Sequence, residues 1–322
     1  MRIVIVTPAG PRLRTGNRHT ALRWARFLRQ LGHRVRVVTR WDGWQADLMI
    51  ALHARRSHRS IQRFHLRFPG RPLVVVLTGT DLYRDVAQDA AARRSLDMAS
   101  WLVVLQEEGR RALPGRWRRK TGVVYQSASP GLPLPAREGF PVCVVGHLRA
   151  EKDPFLCALA LTQLPATSRI EVWHLGRALD VAHGAQARQW SAALPRYHWL
   201  GEVTPATVRT TMRECRLLVL SSRMEGGANV IAEALAVGLP VLASRVPGNV
   251  GMLGRDYAGY FPAGDDKALA ALMLRAESDP DFLALLAAQC RRRARLMRPS
   301  RERRALARVI VAARHRAHRR HR

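Results

Sequence analysis

The feature that most constrains this chain is a rhythm: short apolar runs alternate with longer amphipathic stretches, and the pattern starts twice. Apolar runs bounded by turn residues and separated by helix-length segments mark parallel strands joined by crossover helices. In the first half the runs are Ile3 to Thr7, Val35 to Thr39, Leu48 to Leu52, Leu73 to Leu77, Trp101 to Leu105 and Val123 to Tyr125. Leu22, Ala25, Phe27 and Leu28 fall at helical spacing within Thr20 to Leu31, and Gly32 supplies the stop. In the second half Val142 to Val145, Ile170 to Leu175, Tyr197 to Leu200, Leu217 to Leu220, Val241 to Ala243 and Gly259 to Phe261 read as strands. Pro154 to Leu161, Thr204 to Arg213, Asn229 to Val237 and Asp266 to Glu277 read as helices.

The break between the halves is the stretch from Ser127, where Pro130, Gly131, Pro133, Pro135, Gly139 and Pro141 crowd together. Such a density suits neither a central strand nor a helix, so residues 131–141 read as a linker. At 322 residues the chain is about twice the usual domain length. The expectation is an α/β protein of two Rossmann-like domains facing an interdomain cleft: residues 1–130, then 142–300, then a basic tail over 301–322. In open parallel sheets ligands bind beyond the carboxyl ends of the strands, so the loops following strands carry the functional question.

Charge needs care here. The net charge is +30, yet the only lysines are Lys120, Lys152 and Lys267, so the excess is an arginine bias rather than a localised patch. Clustering occurs only from Arg291 to Arg322, and His315 to Arg322 reads as a solvated tail able to touch anionic surfaces. No nucleic-acid partner is expected. The four cysteines, Cys143, Cys157, Cys215 and Cys290, are scattered, and no disulfide or zinc pattern emerges. The chain opens on a strand-like Arg2 to Val6 with no apolar leader, and a cytoplasmic location is expected.

The strongest constellation is Ser221-Ser222-Arg223-Met224-Glu225-Gly226-Gly227-Ala228-Asn229, followed by Glu233 and Ala234-Leu235. It runs from a strand into a helix. Two glycines let the backbone approach a ligand and leave N–H groups for an anion. Asn229 and Glu233 share one helix face, and the carboxylates of Glu225 and Glu233 suit sugar hydroxyls. The same residues also read as a glycine turn with carboxylates near a helix dipole. A second loop, Gly146-His147-Leu148-Arg149-Ala150-Glu151-Lys152-Asp153-Pro154, follows the first strand of the second half. Lys152 stands out in a chain that otherwise chooses Arg, as a point charge for phosphate would. In the first half, Gly10 to Arg18, with Arg12, Arg14, Gly16, Asn17 and Arg18, precedes a helix and can attract an anion. His53-Ala54-Arg55-Arg56 and Thr78-Gly79-Thr80-Asp81 follow two further strands.

The two glutamates seven residues apart, with glycine after the first, resemble the signature of the retaining GT-B glycosyltransferases of the sucrose-synthase-like group. The resemblance implies a donor-sugar contact at Glu225, turn amides at Gly226, Gly227 and Ala228, Asn229 beside them, and ribose hydroxyls held by Glu233. It implies donor-diphosphate contacts at Lys152 and at His147 or Arg149, either of which can replace the arginine usual in the family. Gly201 and Val203 fall on the same UDP-sugar side. Thr78 stands where the family loop has histidine, which points to unusual acceptor chemistry, with Asp81 bordering the reaction centre.

Within that group, Thr15-Gly16-Asn17-Arg18-x-Thr20-Ala21-x-Arg23-Trp24, Thr78 to Tyr83, Gly146 to Pro154, Ser222 to Asn229 and Pro247-Gly248-Asn249-Val250-Gly251 resemble the selenosugar synthases of selenoneine biosynthesis. The resemblance covers about residues 1 to 265. It implies formation of a carbon–selenium bond from selenophosphate and a UDP-sugar, UDP-N-acetylglucosamine or UDP-glucose, with pathway enzymes supplying selenophosphate. The acceptor side would then use Gly16, Asn17, Arg18, His53, Arg55, Arg56, Thr78, Gly79 and Thr80. Transfer is expected to need no metal and no cofactor beyond the UDP-sugar co-substrate. The competing expectations are an ordinary retaining hexosyltransferase and a non-catalytic basic binding protein.

Overall fold

The computed structural model describes residues 1–10 and 15–319. The chain forms two compact units, both discontinuous: in the first, Met1–Gln126 is joined by the short segment Glu225–Gly227 and by the C-terminal segment from Pro299. The other unit holds Ser127–Met224 and Ala228–Arg298.

All twelve runs read as strands are strands, with ends shifted by at most two residues. In the first unit they are β1 (Arg2–Val6), β2 (Arg34–Val38), β3 (Leu48–Leu52), β4 (Leu73–Leu77), β5 (Trp101–Val104) and β6 (Thr121–Val123), in one sheet of order β2-β1-β3-β4-β5-β6. In the second they are β7 (Phe140–Val145), β8 (Ile170–Leu175), β9 (Tyr197–Gly201), β10 (Leu217–Leu220), β11 (Val241–Ser244) and β12 (Tyr260–Phe261), ordered β12-β11-β10-β7-β8-β9. Every pairing is parallel. Read from β9, the second sheet has the 3-2-1-4-5-6 order of a dinucleotide-binding domain, with its reversal between β7 and β10. In the first sheet the reversal falls between β1 and β3.

Both faces of the first sheet are covered, as parallel strands require. Val4, Val6, Met49, Ala51, Val75 and Leu77 pack on one side with Ile61 and Phe64. Ile3, Ile5, Leu48, Ile50, Val74 and Val76 pack on the other with Trp24, Phe27 and Leu28 from the helix Gly16–Gln30. Linker residues 131–139 carry no regular structure, but β7 begins at Phe140, so Pro141 is its second residue. Proline is tolerated there because the missing N–H falls at the strand start.

The tail expectation is corrected. From Pro299 to Arg319 the chain is a helix whose Leu306, Val309, Ile310, Ala313 and Ala317 are buried, the first four within the β1–β3 face of the first unit. The stripe has helical spacing, but interleaved arginines hide it in the sequence; burying Leu306, Val309 and Ile310 contributes about 1.5–3 kcal/mol each. Glu302, only 1 % exposed, anchors the helix. Its carboxylate accepts from Arg23 Nε at 2.9 and 3.1 Å and from Trp24 Nε1 at 2.7 Å.

Truncating Glu302 leaves a guanidinium and an indole N–H without their acceptor. Glu302→Ala should therefore cost about 3 kcal/mol and lower Tm by about 6 °C, measured by calorimetry; a Tm within 1 °C of the parent would contradict the anchor.

Candidate functional site

Beyond the carboxyl end of β3, the chain turns sharply at His53, whose φ of +71° is unusual for a residue with a side chain. The strain is held by the sheet: His53 N donates to Val76 O at 2.8 Å and Ser57 N donates to His53 O at 3.0 Å. Asp81, fully buried, ties this turn to the one after β4. Its carboxylate accepts from Thr78 N at 2.8 Å, Gly79 N at 2.9 Å and Ala54 N at 2.9 Å. A carboxylate so occupied organises two loops.

His53 lies in the same cluster. Nδ1 accepts from Arg56 N at 3.3 Å, leaving Nε2–H for Thr80 Oγ1 at 3.1 Å. Burial lowers its pKa, against the pull of Asp81. Arg55 is exposed and pairs through Nε with Asp85 Oδ2 at 2.9 Å; Arg56 is also exposed. Gly16, Asn17 and Arg18 form the first turn of the helix Gly16–Gln30, capped by Thr15, whose hydroxyl accepts from Arg18 N at 3.5 Å. Arg12 and Arg14 lie outside the described residues.

The segment Glu225–Gly227 packs within this unit, and its glycines have a reason the sequence reading did not supply. A Cβ on Gly226 would lie 2.3 Å from Thr78 O, and one on Gly227 would lie 2.6 Å from Leu105 Cβ. The close approach is therefore made to the Thr78–Gly79 backbone and to Leu105. Gln106, fully buried, fixes the turn by donating from Nε2 to Gly226 O at 3.0 Å and to Tyr83 Oη at 2.8 Å. Glu225 is 9 % exposed.

In the second unit the loops beyond β7 and β10 meet at the sheet's reversal. Lys152 ends a short 3-10 turn, Ala150–Lys152, and its stem runs beside Gly146. Ser221 Oγ donates to Lys152 O at 3.0 Å and Asp153 O at 2.8 Å. Arg223 N donates to Glu151 O at 2.9 Å, and Arg223 Nε to Asp153 Oδ2 at 3.0 Å. A further relay supports the β10 loop: Asn249 Nδ2 donates to Ser244 Oγ at 3.1 Å, and Ser244 Oγ donates to Ser222 O. The helix Asn229–Ala236 begins at Ala228 without a side-chain cap, with Asn229 and Glu233 half-buried on it. His147 Nδ1 accepts from Arg177 N at 3.2 Å, and Arg149 is half-buried two residues on. Gly201, at φ +66°, ends edge strand β9 and Val203 lies two residues on, with β8 between that strand and β7. The single Asp-x-Asp of the chain, Asp279-Pro280-Asp281, is a helix start: Asp279 Oδ1 accepts from Phe282 N at 2.9 Å.

Two further residues shape the Gly146 loop. A Cβ on Gly176 would sit 1.8 Å from Gly146 O, so glycine must follow β8 for the loop to lie down. His174, 1 % exposed, accepts at Nδ1 from Tyr197 Oη across 2.7 Å. Burial lowers its pKa from 6.5 to about 4, with the Gly146 carbonyl pulling the other way.

The folded protein thus holds His174 neutral down to about pH 4, while the unfolded chain takes up that proton near 6.5. Its contribution is complete above pH 6.5 and lost as the pH falls towards 4, worth about 3 kcal/mol. Denaturant midpoints should fall across that window, and less steeply in His174→Gln; equal slopes would count against it. Gly226→Ala should lower the denaturant midpoint in the same assay, since the turn has to move.

Residues 134–297 match the model of the family described as glycosyl transferases group 1. Among solved structures, Anabaena Alr3699/HepE in complex with UDP and glucose superposes with a TM-score of 0.76 at 17% identity, covering 97% of this chain and 99% of that one. The sucrose-phosphate synthase of Thermosynechococcus elongatus gives 0.78 at 16% identity, covering 95% and 97%. A glycosyltransferase of Rickettsia africae gives 0.75 at 11%, covering 97% and 98%. With half of its length in the family model and two parallel Rossmann-like sheets of the GT-B kind, the chain belongs to the glycosyl transferases group 1 family.

Proposed function

We propose that this glycosyltransferase takes its sugar from a UDP-sugar and passes it to selenophosphate, forming a carbon–selenium bond at the anomeric carbon. One observation carries the reading: the motifs behind the selenosugar-synthase resemblance fall at the carboxyl ends of strands, three of them beside a point where strand order reverses. Thr15 to Trp24 follows β1, Gly146 to Pro154 follows β7, and Ser222 to Asn229 follows β10. Thr78 to Tyr83 follows β4 and is tied to the β3 loop by Asp81, while Pro247 to Gly251 follows β11 and supports the β10 loop through Asn249. This is where parallel sheets bind ligands. The complexes of HepE with UDP and with UDP-glucose support the donor class.

In this reading Lys152, with His147 or Arg149, offsets the diphosphate charge, and the first amides of the helix Asn229–Ala236 add to it. Glu233 holds the ribose hydroxyls, and Glu225 accepts a hydrogen bond from a donor-sugar hydroxyl. A selenium lone pair forms the bond to C1 as the C1–O bond breaks, and that electron pair leaves with UDP. Selenophosphate brings its own nucleophile, so no strong general base is required, in keeping with Thr78 at the family's histidine position. Arg55, Arg56 and Arg18 supply positive charge on the acceptor side. Positioning supplies most of the acceleration, and metal-independent transfer follows from the protein's own cations.

Mass spectrometry of products from UDP-N-acetylglucosamine and UDP-glucose, with and without selenophosphate, tests the reading. A selenium-bearing sugar with stoichiometric UDP release is expected. Release no faster than with water or simple alcohols would replace it with ordinary hexosyl transfer. Glu225→Gln, which keeps the buried volume, and Lys152→Met should each lower kcat by about 100-fold or more; unchanged rates would remove both from the donor site.

A further inference from the structure

Five polar atoms of the first unit are buried with no partner among the described residues, and three of them, Thr7 Oγ1, Arg18 Nε and Gln126 Oε1, stand on segments around the start of one helix. Thr7 is fully buried and Gln126 is 1 % exposed. Thr7 and Arg18 flank the connection from β1, a strand at the reversal of the first unit's order, to its helix. Thr7 directly follows β1. Arg18 stands in the first turn of the helix Gly16–Gln30. Gln126, three residues past β6, reaches that turn: its Nε2 donates to Thr20 Oγ1, and Thr20 Oγ1 donates to Gly16 O at 2.9 Å. The unpaired oxygen belongs to the same carboxamide, so it too lies at the helix start.

Buried hydroxyls, guanidinium nitrogens and amides are normally paired inside a fold. Unpaired groups on the segments around one helix N-terminus offer partners to a ligand's polar atoms. Thr7 O–H and Arg18 Nε–H are donors. Gln126 can present its NH2 instead of its oxygen when its amide turns over and Thr20 O–H donates to it. The helix contributes its dipole, and no acidic residue stands in its first turn. The ligand that fits is small, because the polar atoms are enclosed, and it is an anion rich in acceptor oxygens.

We infer that Thr7, Arg18 and Gln126 seat the phosphoryl end of the acceptor, so that this unit selects acceptors carrying a tetrahedral oxyanion and leaves the nucleophilic atom outward. The inference rests on the reading of the first unit as the acceptor side. It assigns specificity to Thr7 and Gln126, two positioning residues that no motif marks.

The test has two independent arms on the full-length protein. In the first, steady-state kinetics with UDP-N-acetylglucosamine and selenophosphate compare the parent with Thr7→Val, Thr7→Ser and Gln126→Leu. Thr7→Val and Gln126→Leu should raise KM for selenophosphate about tenfold or more, leave KM for the UDP-sugar within about twofold, and keep the parent Tm, while Thr7→Ser restores acceptor affinity. In the second, calorimetric titration of inorganic phosphate and thiophosphate at saturating UDP should show binding weakened in parallel by Thr7→Val. If parent and variants bind phosphate alike, or if both KM values rise together, the assignment is overturned. Thr7-dependent phosphate binding without selenium-bearing product would keep the oxyanion seat and discard selenophosphate. Selenium-bearing product with unaltered acceptor KM in the variants would do the reverse.

Discussion

Everything in this protein depends on the demand that an all-parallel sheet be buried on both faces. Strands running the same way can be joined only by segments that cross a face, so each connection becomes part of the cover. The order of attachment then decides where the cover parts. In the first sheet that happens between β1 and β3, in the second between β7 and β10. The loops leaving those strands are the ones with side chains and backbone amides to spare for chemistry.

Such loops must nevertheless be held. Both sheets solve this with short polar side chains that satisfy several backbone groups at once. Asp81 collects three N–H groups from two loops, and Ser221 spans two carbonyls of the Lys152 turn. Buried main-chain groups are expensive to leave unpaired, so each contact fixes a loop more firmly than its length suggests. Lys152 is positioned in this way by a serine that touches only its carbonyl. Glycine gives the complementary device: Gly176 and Gly226 let one backbone lie against another where any side chain would prevent it.

The strands were legible because burial on both faces leaves continuous apolar runs such as Leu73–Leu77 and Leu217–Leu220. Helix Val181–Ala193 was not, since only Gly184 and Ala187 are buried and no apolar stripe marks it. The Pro299–Arg319 helix carries a proper stripe, but arginines on every other face give it the look of a charged tail. Glu225 and Lys152 could be singled out because their types are unusual at their positions. His174 and Gln106 could not: a histidine inside an apolar strand and a glutamine after one reveal their roles only when the neighbouring strand and loop are in place. Glycine spacing likewise does not say what approaches. At Gly226 it is the Thr78 carbonyl.

The clasp of Glu302 on Arg23 and Trp24 has a consequence for the order in which the protein is made. The first unit begins to emerge before the second during synthesis, yet one face of its sheet is covered by a helix translated only after the second unit. Between them lie residues 127–298, which at ribosomal speeds of about 5–20 residues per second take roughly ten to thirty seconds to appear. During that interval Ile3, Ile5, Leu48 and Ile50 wait with only part of their cover, while the second unit completes its own sequence. The unit begun first is therefore the one finished last, and the nascent chain passes through a stage at which its amino-terminal sheet is the exposed part.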